Sequence, residues 1–254
     1  MKVKDKTIHI TTIGCGDAFS DGGRLQTCFH VQAPGGTFLI DCGATSVAAL
    51  KRHRFDLNKI DTILISHFHG DHYGGLPYFL LEAAVFGRKE KLTIVSPPGG
   101  REKLAALLDL LYPESTVLEK LDLRFMEFSQ EENALAGKDG PGYLRISAFP
   151  VTHVPASAPH GVRITTAGKV ISYSGDTRWD DNLIPIANNA DFFICECNFF
   201  NTRSQAHLDY KTLTENLSRL RFKQILLTHF GEEMLANLDK VKLPCAEDGM
   251  KIII

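Results

Sequence analysis

Between Ser66 and Gly75 the chain reads SHFHGDHYGG, which places three histidines and an aspartate within six residues directly behind the apolar run Thr62–Ile65. Leucine and β-branched residues over 62–65 read as a core strand, so the polar cluster springs from a rigid element. Three imidazoles packed together repel one another when protonated, unless something holds them neutral and in place. A divalent metal does this. Imidazole nitrogen with carboxylate oxygen suits zinc best, and manganese or iron less distinctively. An extended backbone points residues two apart to the same side, so His67 and His69 can close on one ion as a chelating pair.

The rest of the chain repeats the arrangement. FPVTH (Phe149–His153) ends a strand-like run in a histidine, KVISYSGD (Lys169–Asp176) ends one in an aspartate, and QILLTHF (Gln224–Phe230) carries a histidine near its end. Four strand ends therefore bear metal-ligating residue types. In LIDCG (Leu39–Gly43), Asp41 closes a further apolar run, and a buried carboxylate must find hydrogen bonds or a charge. Accepting a hydrogen bond from a ligand histidine meets that need.

The order HFHGDH (His67–His72), His153, SGDT (Ser174–Thr177) and THF (Thr228–Phe230) resembles the metallo-β-lactamase superfamily. Within it the ribonuclease Z-like phosphodiesterases resemble the chain most, through IGCG (Ile13–Gly16), RLQTC (Arg24–Cys28), LIDCG and FICE (Phe193–Glu196). The resemblance implies an α/β fold, a four-layer αββα sandwich with metals at the edge between two sheets. It assigns His67, His69 and His153 to one divalent ion, Asp71, His72 and His229 to a second, and Asp176 to both as a bridge. It also implies attack on a phosphodiester by a metal-bound hydroxide, with Asp71 helping to orient it. His207, in QAHLD (Gln205–Asp209), resembles the family's histidine that assists the leaving group, although Leu208 and Asp209 stand where the family carries a hydroxyl residue. Glu196 is the carboxylate expected to orient His207.

Only 22 residues separate His153 from Asp176, where tRNA-processing members carry a long inserted arm. Transfer RNA is therefore a doubtful partner, and a small phosphodiester, a cyclic nucleotide or a short RNA is the expected substrate. A thioester hydrolase of the glyoxalase II type keeps the same seven ligands, and a non-catalytic metal-binding sensor would bind through them as well. Both stay open as alternatives, while SGDTRW (Ser174–Trp179) and the THF ending favour the phosphodiesterases. The oligomeric state stays open, with a homodimer among the assemblies.

Composition narrows the classes further. Apolar residues at 44% and charged residues at 23% match a soluble globular protein. A net charge of −2 argues against a broad nucleic-acid footprint, and KRHR (Lys51–Arg54) and RLRFK (Arg219–Lys223) read as solvated faces. No run approaches the roughly 18 apolar residues of a membrane span, and MKVKDKT passes into IHITT without a secretory core, so the expectation is no membrane and a cytoplasmic location. Six cysteines without a CxxC pair read as reduced thiols, with Cys195 and Cys197 on one face of a strand and Glu196 on the other.

With no linker in view, the 254 residues are expected to form a single hydrolase domain, residues 1–254, in which Glu131–Gly142 is an irregular loop. Strands are expected near 8–13, 27–33, 37–41, 62–66, 92–96, 121–128, 143–151, 162–166, 170–174, 191–196, 224–228 and 250–254. Helices fit 45–54, 75–87, 100–111, 209–220 and 231–238.

Overall fold

Residues 6–129, 132–137 and 140–254 are described by the computed structural model. The first half runs β1 (His9–Gly14), β2 (Cys28–Ala33), β3 (Gly36–Ile40), α1 (Ser46–Arg52), β4 (Thr62–Leu64), α2 (Gly70–Tyr73), α3 (Leu76–Val85), β5 (Leu92–Ser96), α4 (Gly100–Leu111), α5 (Val117–Lys120) and β6 (Leu123–Glu127). The second half continues with β7 (Asn133–Gly137), β8 (Gly140–Pro150), β9 (His160–Thr166), β10 (Lys169–Tyr173), α6 (Leu183–Ala187), β11 (Phe192–Glu196), α7 (Tyr210–Asn216), β12 (Ile225–Thr228), α8 (Glu232–Leu235) and β13 (Lys251–Ile253). One sheet has the order β13-β1-β2-β3-β4-β5-β6 and the other β12-β11-β10-β9-β8-β7.

Alternation along the strands builds the layers. In β3, Phe38 and Ile40 face the second sheet while Leu39 faces the helices. In β11, Phe192 and Ile194 face the first sheet while Phe193 and Cys195 face outward. The central core joins Phe29, Val31, Phe38, Ile40 and Leu64 of the first sheet to Leu144, Ile146, Val162, Ile164 and Ile194 of the second. A second core packs Leu39, Ile63 and Ile94 under α1, α3 and α4, through Leu50, Phe79, Leu80 and Leu104. A third packs Phe193, Cys195 and Leu227 under α6, α7 and α8, through Leu183, Ile186, Leu213 and Met234. These three apolar layers make the expected αββα sandwich.

The turns follow local chemistry. Pro34 and Gly35 join β2 to β3, with Gly35 at φ +97°, a conformation that favours glycine at the second turn position. Three helices lie outside the expected set: α2, α5 and α6. The last of these carries Pro185, which a first helical turn tolerates.

The stretch 131–142 corrects the sequence reading. Residues 133–137 form β7 and pair with β8, Asn133 opposite Ile146 and Leu135 opposite Leu144, and 140–142 belong to β8 itself; residues 131, 138 and 139 lie outside the described residues. Glycine, proline and charge in this stretch read as a turn, but an edge strand takes its stability from backbone pairing with its neighbour. Among the described residues, no helix is long and apolar enough to cross a membrane.

Strand direction positions the functional edge. Strands β3 and β4 are parallel, as are β10, β11 and β12, and β8 and β10 are both antiparallel to β9. The strands that precede Asp41, His67, His153, Asp176 and His229, and the one that ends in Glu196, thus deliver those residues at their C-terminal ends, where open α/β sheets bind ligands. Because Ile194 is fully buried between the sheets, Ile194→Ala should lower stability by about 2–5 kcal/mol in a denaturant titration. A loss below about 1 kcal/mol would show that the central layer is not the main core.

Candidate metal centre

The motif Ser66–Gly75 changes backbone conformation halfway. His69 is still extended, at φ −94° and ψ 149°, and the helical turn α2 begins at Gly70. His67 and His69 therefore converge, with His67 Nε2 at 3.2 Å from His69 Nδ1, while Asp71 and His72 are rotated away to a neighbouring position. His153, three residues beyond β8, brings its Nε2 to 3.0 Å from His69 Nδ1. On the other side His229 Nε2 lies 3.4 Å from His72 Nε2 and 3.2 Å from Asp71 Oδ2. All seven expected ligand positions come together, as His67, His69, His153 and Asp176 in one group and Asp71, His72, His229 and Asp176 in the other.

Asp176 occupies the centre. Its Oδ2 lies 3.2 Å from His72 Nε2, 3.3 Å from His229 Nε2, 3.7 Å from His67 Nε2, 3.9 Å from His153 Nε2 and 4.0 Å from His207 Nδ1. Its other oxygen, Oδ1, is buried and without a hydrogen-bond partner. The preceding Gly175 has φ +60°, and a Cβ there would stand 2.4 Å from the carbonyl oxygen of His160, so the approach of Asp176 requires glycine.

Outer contacts aim the rings. His72 Nδ1 is 2.7 Å from Asp41 Oδ2, which makes it the donor and leaves Nε2 facing inward. His153 Nδ1 donates to the carbonyl of Ala206 at 2.7 Å. Asp41 also accepts from the backbone N–H of Ser66 at 2.7 Å and from its hydroxyl at 2.8 Å, and the hydrogen bond from a histidine of the cluster that was expected of it is the one from His72. Both Asp41 and His229 adopt left-handed φ, +59° and +64°, which bends the chain sharply where each strand ends. Backbone bonds also tie the sheets together here, from Phe68 N–H to Ser157 and from His229 N–H to Cys15, both at 2.9 Å.

The charge balance tests whether cations fit. Asp41, Asp71, Asp176 and Glu196 are all buried, yet among the described residues no lysine or arginine lines the cavity at the cluster. Buried carboxylates need positive charge. Burial alone would lower the basicity of His72, but Asp176, Asp71 and Asp41 overcome it and hold this imidazole well above its ordinary pKa. Burial, reinforced by His72, pushes His67 well below its own. An uncoordinated carboxylate oxygen amid convergent imidazole nitrogens is the pattern two divalent ions would satisfy, so the residues fit the group.

His207 stands at the edge of this cluster. Its Nδ1 is 3.2 Å and 3.3 Å from the two oxygens of Glu196, which also accepts the N–H of Thr177. Burial would lower its pKa, but Glu196 and then Asp176 raise it to about 9. Leu208 is buried under the second sheet and Asp209 caps α7, accepting from Thr212 N–H at 2.8 Å, so neither replaces the absent hydroxyl. Cys195 and Cys197 both enter the outer apolar layer, opposite Glu196.

A cavity of about 280 Å³ opens over the cluster, lined by Asp17, Phe19, Asn198 and Phe199 besides the residues above. Sequence reasoning missed Asn198, whose Nδ2 donates to the His229 carbonyl at 3.1 Å; its place two residues after Glu196, on the same side of the chain, was the available signal. His160 lines a neighbouring cavity with His153 and not this one.

Fold and cluster together define a metal-dependent hydrolase of the metallo-β-lactamase superfamily, similar to the ribonuclease Z group. Residues 8–243 match the family described as Anti-Pycsar protein Apyc1, and the chain belongs to that family. It is 28% identical to the Anti-Pycsar protein Apyc1 of Bacillus phage 010DV004, over 90% of this chain and 91% of that protein. It is 26% identical to a ribonuclease Z of Clostridium beijerinckii, over 92% and 93% of the two chains. In structure it is similar to the metallo-beta-lactamase fold protein YhfI from Bacillus subtilis, with a TM-score of 0.80 at 21% identity, covering 98% of this chain and 100% of that one.

Asp41→Asn keeps the shape of the side chain and removes its charge. It should weaken metal retention about 10–100-fold, measured by competition against a chelator. Unchanged retention would mean that the contact with His72 has no part in holding metal.

Proposed function

We propose that the chain is a dinuclear phosphodiesterase acting on small phosphodiesters, nucleoside cyclic phosphates foremost. The observation that carries this reading is the pair His207–Glu196 beside the seven-residue cluster. His67, His69 and His153 would hold one ion, Asp71, His72 and His229 the other, and Asp176 both, with zinc the ion best suited to these donors. When bound, two such ions supply Lewis acidity, which activates a water molecule and neutralises charge on phosphoryl oxygens.

The remaining work falls to the chain's own groups. Asp71, at the cavity wall, orients the attacking water by accepting its hydrogen bond. His207 keeps its Nδ1 proton on Glu196 and gives a proton from Nε2 to the departing ribose oxygen, while Glu196 balances the imidazolium until that proton has left. A ribose alkoxide is a poor leaving group and needs this proton. A thiolate leaves without one, so in a thioester hydrolase of the glyoxalase II type the pair would stand idle, and in a sensor it would have no reaction to serve.

Small substrates are favoured by two features. The 22 residues between His153 and Asp176 are spent on a short turn at Pro155–Ser157, β9, β10 and brief connections, which leaves no inserted arm. The cavity, at about 280 Å³, lies at the small end of ligand pockets, which run about 300–1,000 Å³. The Anti-Pycsar name of the family points to cyclic nucleotides as well. The reading takes residues 1–254 as one hydrolase domain working in the cytoplasm, where six free cysteines would stay reduced.

His207→Ala should retain its metal and lose about 10²–10⁴-fold in kcat on a nucleoside cyclic phosphate. The loss on bis(p-nitrophenyl) phosphate should be far smaller, because an aryl oxide leaves readily. Equal losses on the two substrates, or faster turnover of a thioester than of any phosphodiester, would overturn the assignment.

A further inference from the structure

His207 borders two cavities. One lies over the metal cluster; the other, of about 320 Å³, is a groove lined by Arg178, Trp179, Arg203, Ser204 and Gln205. We propose that this groove is a leaving-group subsite for a nucleoside phosphate, so that the enzyme also cleaves short linear oligonucleotides. The proposal rests on the phosphodiesterase reading of the adjoining centre, and three features of the groove support it.

Its position comes first. If His207 protonates the departing oxygen, whatever that oxygen carries must continue past the imidazole, and the groove adjoins that same ring. A cyclic nucleotide brings a single nucleoside to the centre, joined to the phosphate at two points. A linear phosphodiester would place a second nucleoside there.

The lining is suited to such a unit. Trp179 is held in place on two sides: its Nε1–H donates to Asp181 Oδ1 at 3.2 Å, and the Arg219 guanidinium lies 5.3 Å from its ring centroid. Arg219 in turn pairs with Asp181 at 2.9 Å and Asn216 at 3.1 Å, all of them exposed contacts. The indole so placed offers a stacking surface for a base.

Arg178 and Arg203 bring two exposed guanidinium groups to the same groove, which Asp209 and Glu215 also line, Asp209 being engaged in capping α7. The backbone N–H of Arg178 is tied to the Thr152 carbonyl at 3.0 Å, so its origin is fixed two residues from Asp176. Glu215 lies 3.8 Å from Arg203, but both side chains are largely exposed and such a pair is weak enough for a phosphate to replace. Guanidinium forks match phosphate oxygens bidentately. The run RLRFK, which reads as a solvated face in the sequence, contributes Arg219 as the neighbour of that indole.

Trp179 is the only tryptophan in the chain, so its fluorescence reports on this groove alone. Titrating the metal-loaded protein with adenosine 3′,5′-bisphosphate should quench that fluorescence saturably. In the double variant Arg178→Ala/Arg203→Ala the Kd should rise about tenfold, and the KM for the linear dinucleotide pApA should rise with it. No quenching up to millimolar nucleotide, or quenching with the same Kd in the variant, would overturn the subsite. Arginine-dependent quenching in a protein that hydrolyses no phosphodiester would keep the subsite and remove the proposed function. Turnover of cyclic nucleotides without such quenching would do the reverse.

Discussion

The structure depends on how a buried aspartate is satisfied. Asp176 is removed from solvent, one of its oxygens has no partner, and the other faces five histidines within 4.0 Å. A carboxylate so placed costs several kcal/mol unless positive charge reaches it. Asp41, Asp71 and Glu196 are buried nearby, which deepens the demand, and among the described residues no lysine or arginine lines the cavity to meet it. Protons on the histidines can meet part of this need. Two divalent cations would meet all of it and would also give the unpartnered oxygen its bond.

The fold delivers that concentration of charge through strand direction. Strands from both sheets end at one edge, and each donates one or two polar residues there while its body stays in an apolar layer. Left-handed backbone at Asp41 and His229 costs about 1–3 kcal/mol each, and surrounding contacts must hold it. They do so through Ser66 on Asp41, Asn198 on the His229 carbonyl, and backbone bonds that cross from one sheet to the other. The cores beneath are what make such strain sustainable.

Much of this was legible in the sequence because histidine and aspartate are conspicuous where they close apolar runs. His67, His69, Asp71 and His72 declare themselves by density, and His153, Asp176 and His229 by standing at the ends of apolar runs. Asp41 was readable for the same reason. His207 was placed by resemblance and Glu196 as its partner from its place at a strand end, and the structure brings the two within hydrogen-bond distance. Asn198, Phe19 and the arginine groove were not found, since asparagine, phenylalanine and exposed arginine are common and carry no periodic signal. Strand β7 was lost because edge pairing, and not composition, stabilises it. The short turn α2 was hidden inside the run His67–His72, where the chain is extended at His69 and helical from Gly70.

The account stands most directly on the number of ions the centre holds. Elemental analysis of the metal-loaded protein should give close to two divalent ions per chain, falling well below one when Asp176 is replaced by alanine, because both ions lose the charge between them. One ion in the parent protein, or an Asp176→Ala variant that keeps two, would contradict a centre built around this carboxylate.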